Sequence, residues 1–130
     1  MIISKRLEDA EFIMSKDELT YSAVIEDFKN ASQIHILTYN ISKDQNVLLK
    51  ALRNCEEDTE ICIVSNIPGR WESYFGKTYA DKAKKNISLY KSKLSPQKIA
   101  EKAEVYFCFS NHAKIIMTDN IAYVGSSNFS

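Results

Sequence analysis

Apolar positions along the chain fall into short β-rich runs separated by stretches with helical spacing. Tyr21, Val24, Ile25 and Phe28 recur at steps of three and four, which predicts a helix over roughly 16–30. In front of it, Ser15-Lys16-Asp17-Glu18 has the form of a capping box, in which the Ser accepts from the first turn and the Glu reaches back. Residues 33–40, QIHILTYN, follow as a β-rich run that reads as a buried strand. Ser42-Lys43-Asp44-Gln45 is a second capping box, opening a helix to about Cys55 with Val47, Leu48, Ala51 and Leu52 inward. Residues 61–65, ICIVS, form another short buried strand. Strand–helix–strand order of this kind points to parallel pairing in an α/β layer fold.

Asn66 to Gly76 is the least regular stretch, with a turn marked by Pro68-Gly69. Tyr79, Ala83, Ile87, Tyr90 and Leu94 then recur at steps of 4, 4, 3 and 4, the stripe of an amphipathic helix. Its other faces carry Lys82, Lys84, Lys85, Lys91 and Lys93. Ser95-Pro96 can start a further short helix, with Ser as cap and Pro at the first position. EVYFCF (104–109), KIIMT (114–118) and IAYVG (121–125) read as three strands, the last two joined by a turn at Asp119-Asn120. The expected fold is a single α/β domain over 1–130, a mixed, largely parallel β-sheet flanked by helices.

Composition narrows the class. With 130 residues, 45% hydrophobic and 26% charged, the chain is globular and large enough for a proper core. No apolar run reaches the length of a membrane span, and the start MIISKRLEDAEF is too charged for a signal peptide, so a soluble, cytoplasmic protein is expected. Cys55, Cys62 and Cys108 are odd in number and lack metal or redox spacing, which predicts buried reduced thiols. Net charge is zero but uneven: residues 1–60 hold seven Lys/Arg against twelve Asp/Glu, whereas 77–102 hold eight Lys against two acids. The average hides a basic segment.

The chemistry gathers near the end of the sequence, at Asn111-His112-Ala113-Lys114-Ile115-Ile116-Met117-Thr118-Asp119 and Gly125-Ser126-Ser127-Asn128. His112 and Lys114, two apart on an expected strand, would emerge on one face. Asp119 would close that strand, and the return strand would bring Gly125 to Asn128 back toward the same face. An imidazole that titrates near neutrality can act as a nucleophile. An ammonium can balance charge shifting onto phosphoryl oxygens, and Ser126 and Asn128 can donate to the same oxygens. Such chemistry needs neither metal nor cofactor, and two histidines without a carboxylate cluster make a poor metal site.

HAKIIMTD followed by GSSN resembles the HxK(x4)D…GSxN signature of the phospholipase D superfamily, at motif strength over about 103–130. The resemblance implies a phospholipase D-like fold and roles for individual residues. His112 would attack phosphorus, Lys114 and Asn128 would bind phosphate, and Asp119 and Ser126 would complete the network. Family members use two such motifs, one His forming a phosphohistidine and the other protonating the leaving oxygen. This chain has one, so either two copies form a homodimer that completes the active site across a two-fold axis or the site is incomplete; the symmetric dimer, which needs no extra sequence, is the favoured reading. Five residues separate Asp119 from Gly125 where the common pattern has six, implying a tighter hairpin. Relatives also continue past this point with another strand and an acidic residue that orients the His, so the chain is expected to be a fragment or the front part of a longer protein.

Other residues carry weaker signals. His35, mid-strand, reads as a satisfied core or sheet-end histidine. Tyr39-Asn40 closes its strand where α/β folds place ligands, which makes a pocket wall conceivable. A Ser-His-Asp hydrolase of Ser126, His112 and Asp119 lacks a nucleophile elbow. The lysine helix is either a solvated face or a track for phosphate backbone, with Lys82 and Lys85 as its foremost candidates. Arg70, Trp71, Tyr74 and Phe75 could stack on bases or anchor into the sheet.

Three functions remain open from the sequence. The first is a metal-independent phosphodiesterase, an endonuclease acting on DNA as a homodimer and fitting part of a restriction or defence protein. The second is a phospholipid-hydrolysing enzyme of the same superfamily. The third is an inactive nucleic-acid-binding or dimerisation module.

Overall fold

The computed structural model of the protein describes residues 2–6, 8–15, 21–41, 47–66, 78–94, 99–108 and 110–126. Strands β1 (Ile2–Arg6) and β2 (Glu11–Ser15) pair antiparallel in a two-stranded sheet of their own, which the hydrophobic pattern did not anticipate. Ser15 is the last residue of β2, and Lys16-Asp17-Glu18 of the first expected capping box lie outside the described residues. Helix α1 instead spans Ser22–Phe28 behind Tyr21, whose side chain makes no capping bond. The second expected capping box, 42–45, lies outside the described residues, as do Ser95-Pro96 and the aromatic stretch 70–75.

A five-stranded sheet forms the body. After β3 (Gln33–Thr38) come α2 (Val47–Arg53) and β4 (Glu60–Asn66). Helices α3 (Tyr79–Leu94) and α4 (Ile99–Lys102) lead to β5 (Ala103–Cys108), and the hairpin β6 (Ile115–Thr118) and β7 (Ala122–Val124) ends the described chain's regular structure. The strand order is β5-β4-β3-β6-β7. β3–β4 and β4–β5 are parallel, while β3–β6 and β6–β7 are antiparallel. The fold is thus mixed α/β, but the expected predominance of parallel pairing gives way to two pairings of each kind.

The core lies on one face of this sheet. Ile34, Ile36, Ile61 and Ile63 point into it and meet Val24 and Phe28 of α1, Leu48, Leu49 and Leu52 of α2, Leu94 of α3 and Ile99 of α4. β3, β4 and β5 step across the sheet in one direction, so crossovers of one hand place their helices over the same face. The ammonium of Lys102 donates to the Cys55 carbonyl and ties α4 to the end of α2. On the other face Gln33, His35, Glu60, Glu104 and Tyr106 are exposed, and Leu37, Cys62 and Val64 are half-buried.

That asymmetry corrects three expectations. β3 is not a buried strand: its side chains alternate, with Ile34 and Ile36 buried and Gln33 and His35 exposed. His35 is accordingly neither a core nor a sheet-end histidine; it stands mid-strand between Met117 and Cys62 on the open face. Of the cysteines, all free, only Cys55 is buried, its thiol directed at the carbonyls of Phe28 and Ala51 at 3.6 and 3.5 Å. Burial pushes the Cys55 and Cys62 thiols up from their usual range. In α3, Ala83 and Leu94 are buried as the stripe predicts, but Tyr79 is exposed.

Candidate active site

Strand order determines where the motif falls. β5 lies at one edge of the sheet, and β6 pairs on the far side of β3. Residues 110–114 therefore lie on the way across the carboxyl ends of β4 and β3, the end at which open α/β sheets bind ligands. Asn111 anchors the crossing. Its amide nitrogen donates to the carbonyls of Thr38 and Val64, both at 3.1 Å, and its oxygen accepts from the Ala113 N–H at 2.9 Å.

His112 sits between these anchored neighbours with an exposed side chain. Its ring meets Tyr39 edge-on, centroids 4.9 Å apart and planes inclined by 60°. Residues 111–114 are irregular rather than the start of a strand, yet they still bring His112 and Lys114 together. The Lys114 ammonium donates to the His112 carbonyl at 3.0 Å and lies 3.5 Å from His112 Nδ1 and 5.6 Å from the Tyr39 ring centroid. An ammonium can only donate, so the approach is a hydrogen bond only when Nδ1 carries the lone pair. Among the described residues no carboxylate bonds to the His112 ring, and none forms a cluster of three or more His, Cys, Asp or Glu that could hold a metal ion.

The return strand reaches the same place. Thr118 N–H donates to the Ile121 carbonyl at 2.9 Å, closing a tight two-residue loop at Asp119-Asn120, and Gly125 N–H donates to the Lys114 carbonyl at 3.2 Å. Exposed Ser126 follows directly. Asn128 lies outside the described residues.

Asp119 is the exception. It stands at the opposite end of β6, where its carboxylate accepts from the N–H of Ser32 at 3.0 Å and of Gln33 at 3.3 Å. The expectation that it joins the imidazole is corrected: a four-residue strand separates them, and its bonds fix the hairpin turn to the start of β3. The Gln33 N–H, supported by the other backbone donors, holds its carboxyl below the usual carboxylate range.

Lys82 and Lys85 are exposed on α3. Ala83 and Ile87 of that helix pack with Phe107, whose register partner in β4 is Ser65, itself opposite Thr38. The turn around Ala83 is therefore packed near the carboxyl end of β5, the strand beside β4. Asn111 and its double contact were not read from the sequence, because both acceptors are backbone carbonyls of distant strands. Compared with known proteins, the chain matches no family model, no curated protein and no solved structure.

Proposed function

We propose that the protein is a metal-independent phosphodiesterase of the phospholipase D type, an endonuclease that cleaves DNA through a phosphohistidine in a site completed by a second copy of the chain. One observation carries this reading: an exposed imidazole and an ammonium, 3.5 Å apart, stand together at the carboxyl ends of β3 and β4. Exposed Ser126, next in sequence to the Gly125 that bonds the Lys114 carbonyl, offers a further donor for a phosphate oxygen.

Lys114 is poised between two partners. With a phosphodiester bound, its ammonium turns from Nδ1 to the non-bridging oxygens, where negative charge shifts in the transition state. A ring nitrogen of His112 then forms a bond to phosphorus as the bond to the leaving oxygen breaks. The His112 of the second copy, as imidazolium, gives that oxygen its proton. A water next attacks phosphorus and yields its proton to the same imidazole, releasing phosphate ester and free His112. Lys82 and Lys85 offer sequence-independent attraction for the flanking phosphates, and this favours nucleic acid over a lipid headgroup.

Plasmid DNA incubated with the protein in EDTA tests the proposal, wild type beside His112→Ala. Cleavage that persists in EDTA and is lost in the variant is the expected result. Cleavage that requires a divalent metal would overturn the mechanism, and choline released from phosphatidylcholine vesicles in place of DNA nicking would move the substrate to lipid.

A further inference from the structure

Resting on the functional reading above, we propose that Asn111 is the positioning residue that aims the His112 imidazole. It spends both amide hydrogens on strand ends, the Thr38 and Val64 carbonyls, which lie 73 and 47 residues away in sequence. Its oxygen takes the Ala113 N–H at 2.9 Å. One half-buried side chain thus joins β3, β4 and the crossing segment, and it pins the backbone on both sides of His112.

The chemistry of the contact selects asparagine. Two carbonyls facing one group demand two hydrogens from it, and the Ala113 N–H demands an acceptor on the same short side chain. Aspartate keeps the acceptor but turns a negative oxygen toward two carbonyls. Serine has one hydrogen to give, and glutamine is longer by a methylene. With Asn111 in place, the ring of His112 is held against Tyr39 at 4.9 Å and Lys114 Nζ at 3.5 Å from Nδ1. Without it, the segment 110–114 hangs from β5 and β6 alone, and in-line attack tolerates little drift; a misplacement of about 1 Å can cost on the order of 100-fold in rate.

The test uses Asn111→Ala and Asn111→Asp in the full chain, with a labelled oligonucleotide in EDTA, well below each protein's melting temperature. For Asn111→Ala, kcat is expected to fall about 10- to 100-fold with KM within about threefold, since the Lys114 backbone stays tied to the return strand by the Gly125 N–H and Asn111 bonds to none of Ser126, Lys82 and Lys85. Asn111→Asp is expected to fall at least as far at neutral pH. Relative to wild type it regains part of its kcat as pH is lowered, when the carboxyl acquires a hydrogen to donate to Thr38 or Val64. Should Asn111→Ala melt below the assay temperature, Asn111→Ser, which keeps one donor, takes its place with a smaller loss of the same kind.

A second readout does not depend on turnover. The chain has two histidines, and His35 on the open face serves as internal reference. A nuclear Overhauser contact between the Tyr39 and His112 rings is expected in wild type and absent in Asn111→Ala. A wild type that cleaves nothing refutes the functional reading, while the ring contact still decides the positioning. An Asn111→Ala protein with kcat within twofold of wild type, or with the ring contact unchanged, overturns the proposal.

Discussion

Asp119 and His112 share a sequence motif but not a location. The carboxylate of Asp119 accepts two backbone N–H groups at the start of β3, and those bonds favour its charged form. A carboxyl held below its unfolded value stabilises the fold above that value, and the contribution disappears as pH falls through the lowered one. Asp119→Ala should therefore lower the melting temperature at pH 7, by a margin that narrows on acidification, while the variant still cleaves when assayed cold. A fully stable but inactive Asp119→Ala would return this carboxylate to the chemistry. At this scale the HxK spacing was legible because two residues two apart meet through local backbone geometry. Asn111 was not, since nothing in a sequence marks which carbonyls an amide will find on other strands.

The hairpin that carries Lys114 toward Ser126 is held as a unit. Asp27 of α1 accepts from Thr118 Oγ1 at 2.7 Å, Asn120 Nδ2 at 3.2 Å and the Tyr123 hydroxyl at 3.2 Å. Burial, with Asp27 alongside, pushes the Tyr123 hydroxyl up to about 12. Because the folded value is raised, this bond contributes fully below the unfolded tyrosine range and is lost as pH rises toward the folded one. Asp27→Ala should cost about 1–3 kcal/mol at neutral pH, the usual penalty for stranding partly buried donors, with amide exchange quickening first at Thr118 and Ile121. Uniform quickening across the sheet would deny the hairpin its own clamp. Elements with a strong period were the legible ones: the bounds of α3 follow from its apolar steps, and the Asp119-Asn120 turn from its dipeptide. The alternation Gln33-Ile34-His35-Ile36 is the two-residue period of a half-buried strand, and the burial of β3 follows that period rather than its β-rich composition. β1 and β2 escaped notice because their charged residues dilute the two-residue period.

For the whole molecule, one motif per chain turns the reaction into a question of stoichiometry. If attack and leaving-group protonation fall to the His112 of two different copies, a dimer with one His112→Ala subunit lacks either the nucleophile or the acid. Wild type mixed with a growing excess of His112→Ala, under conditions that allow subunit exchange, should then lose activity per wild-type subunit in proportion to the wild-type fraction. Random pairing predicts about half at equal mixing and about a tenth at a ninefold excess of variant. A self-sufficient chain would keep constant activity per wild-type subunit at every ratio, and a monomer by light scattering would agree with that. The chemistry of the step itself divides the work between two rings. A neutral ring has a lone pair with which to attack phosphorus, whereas only an imidazolium is acidic enough to protonate the leaving oxygen. Two rings in two different protonation states meet both needs at once, and one ring in one state meets only one of them.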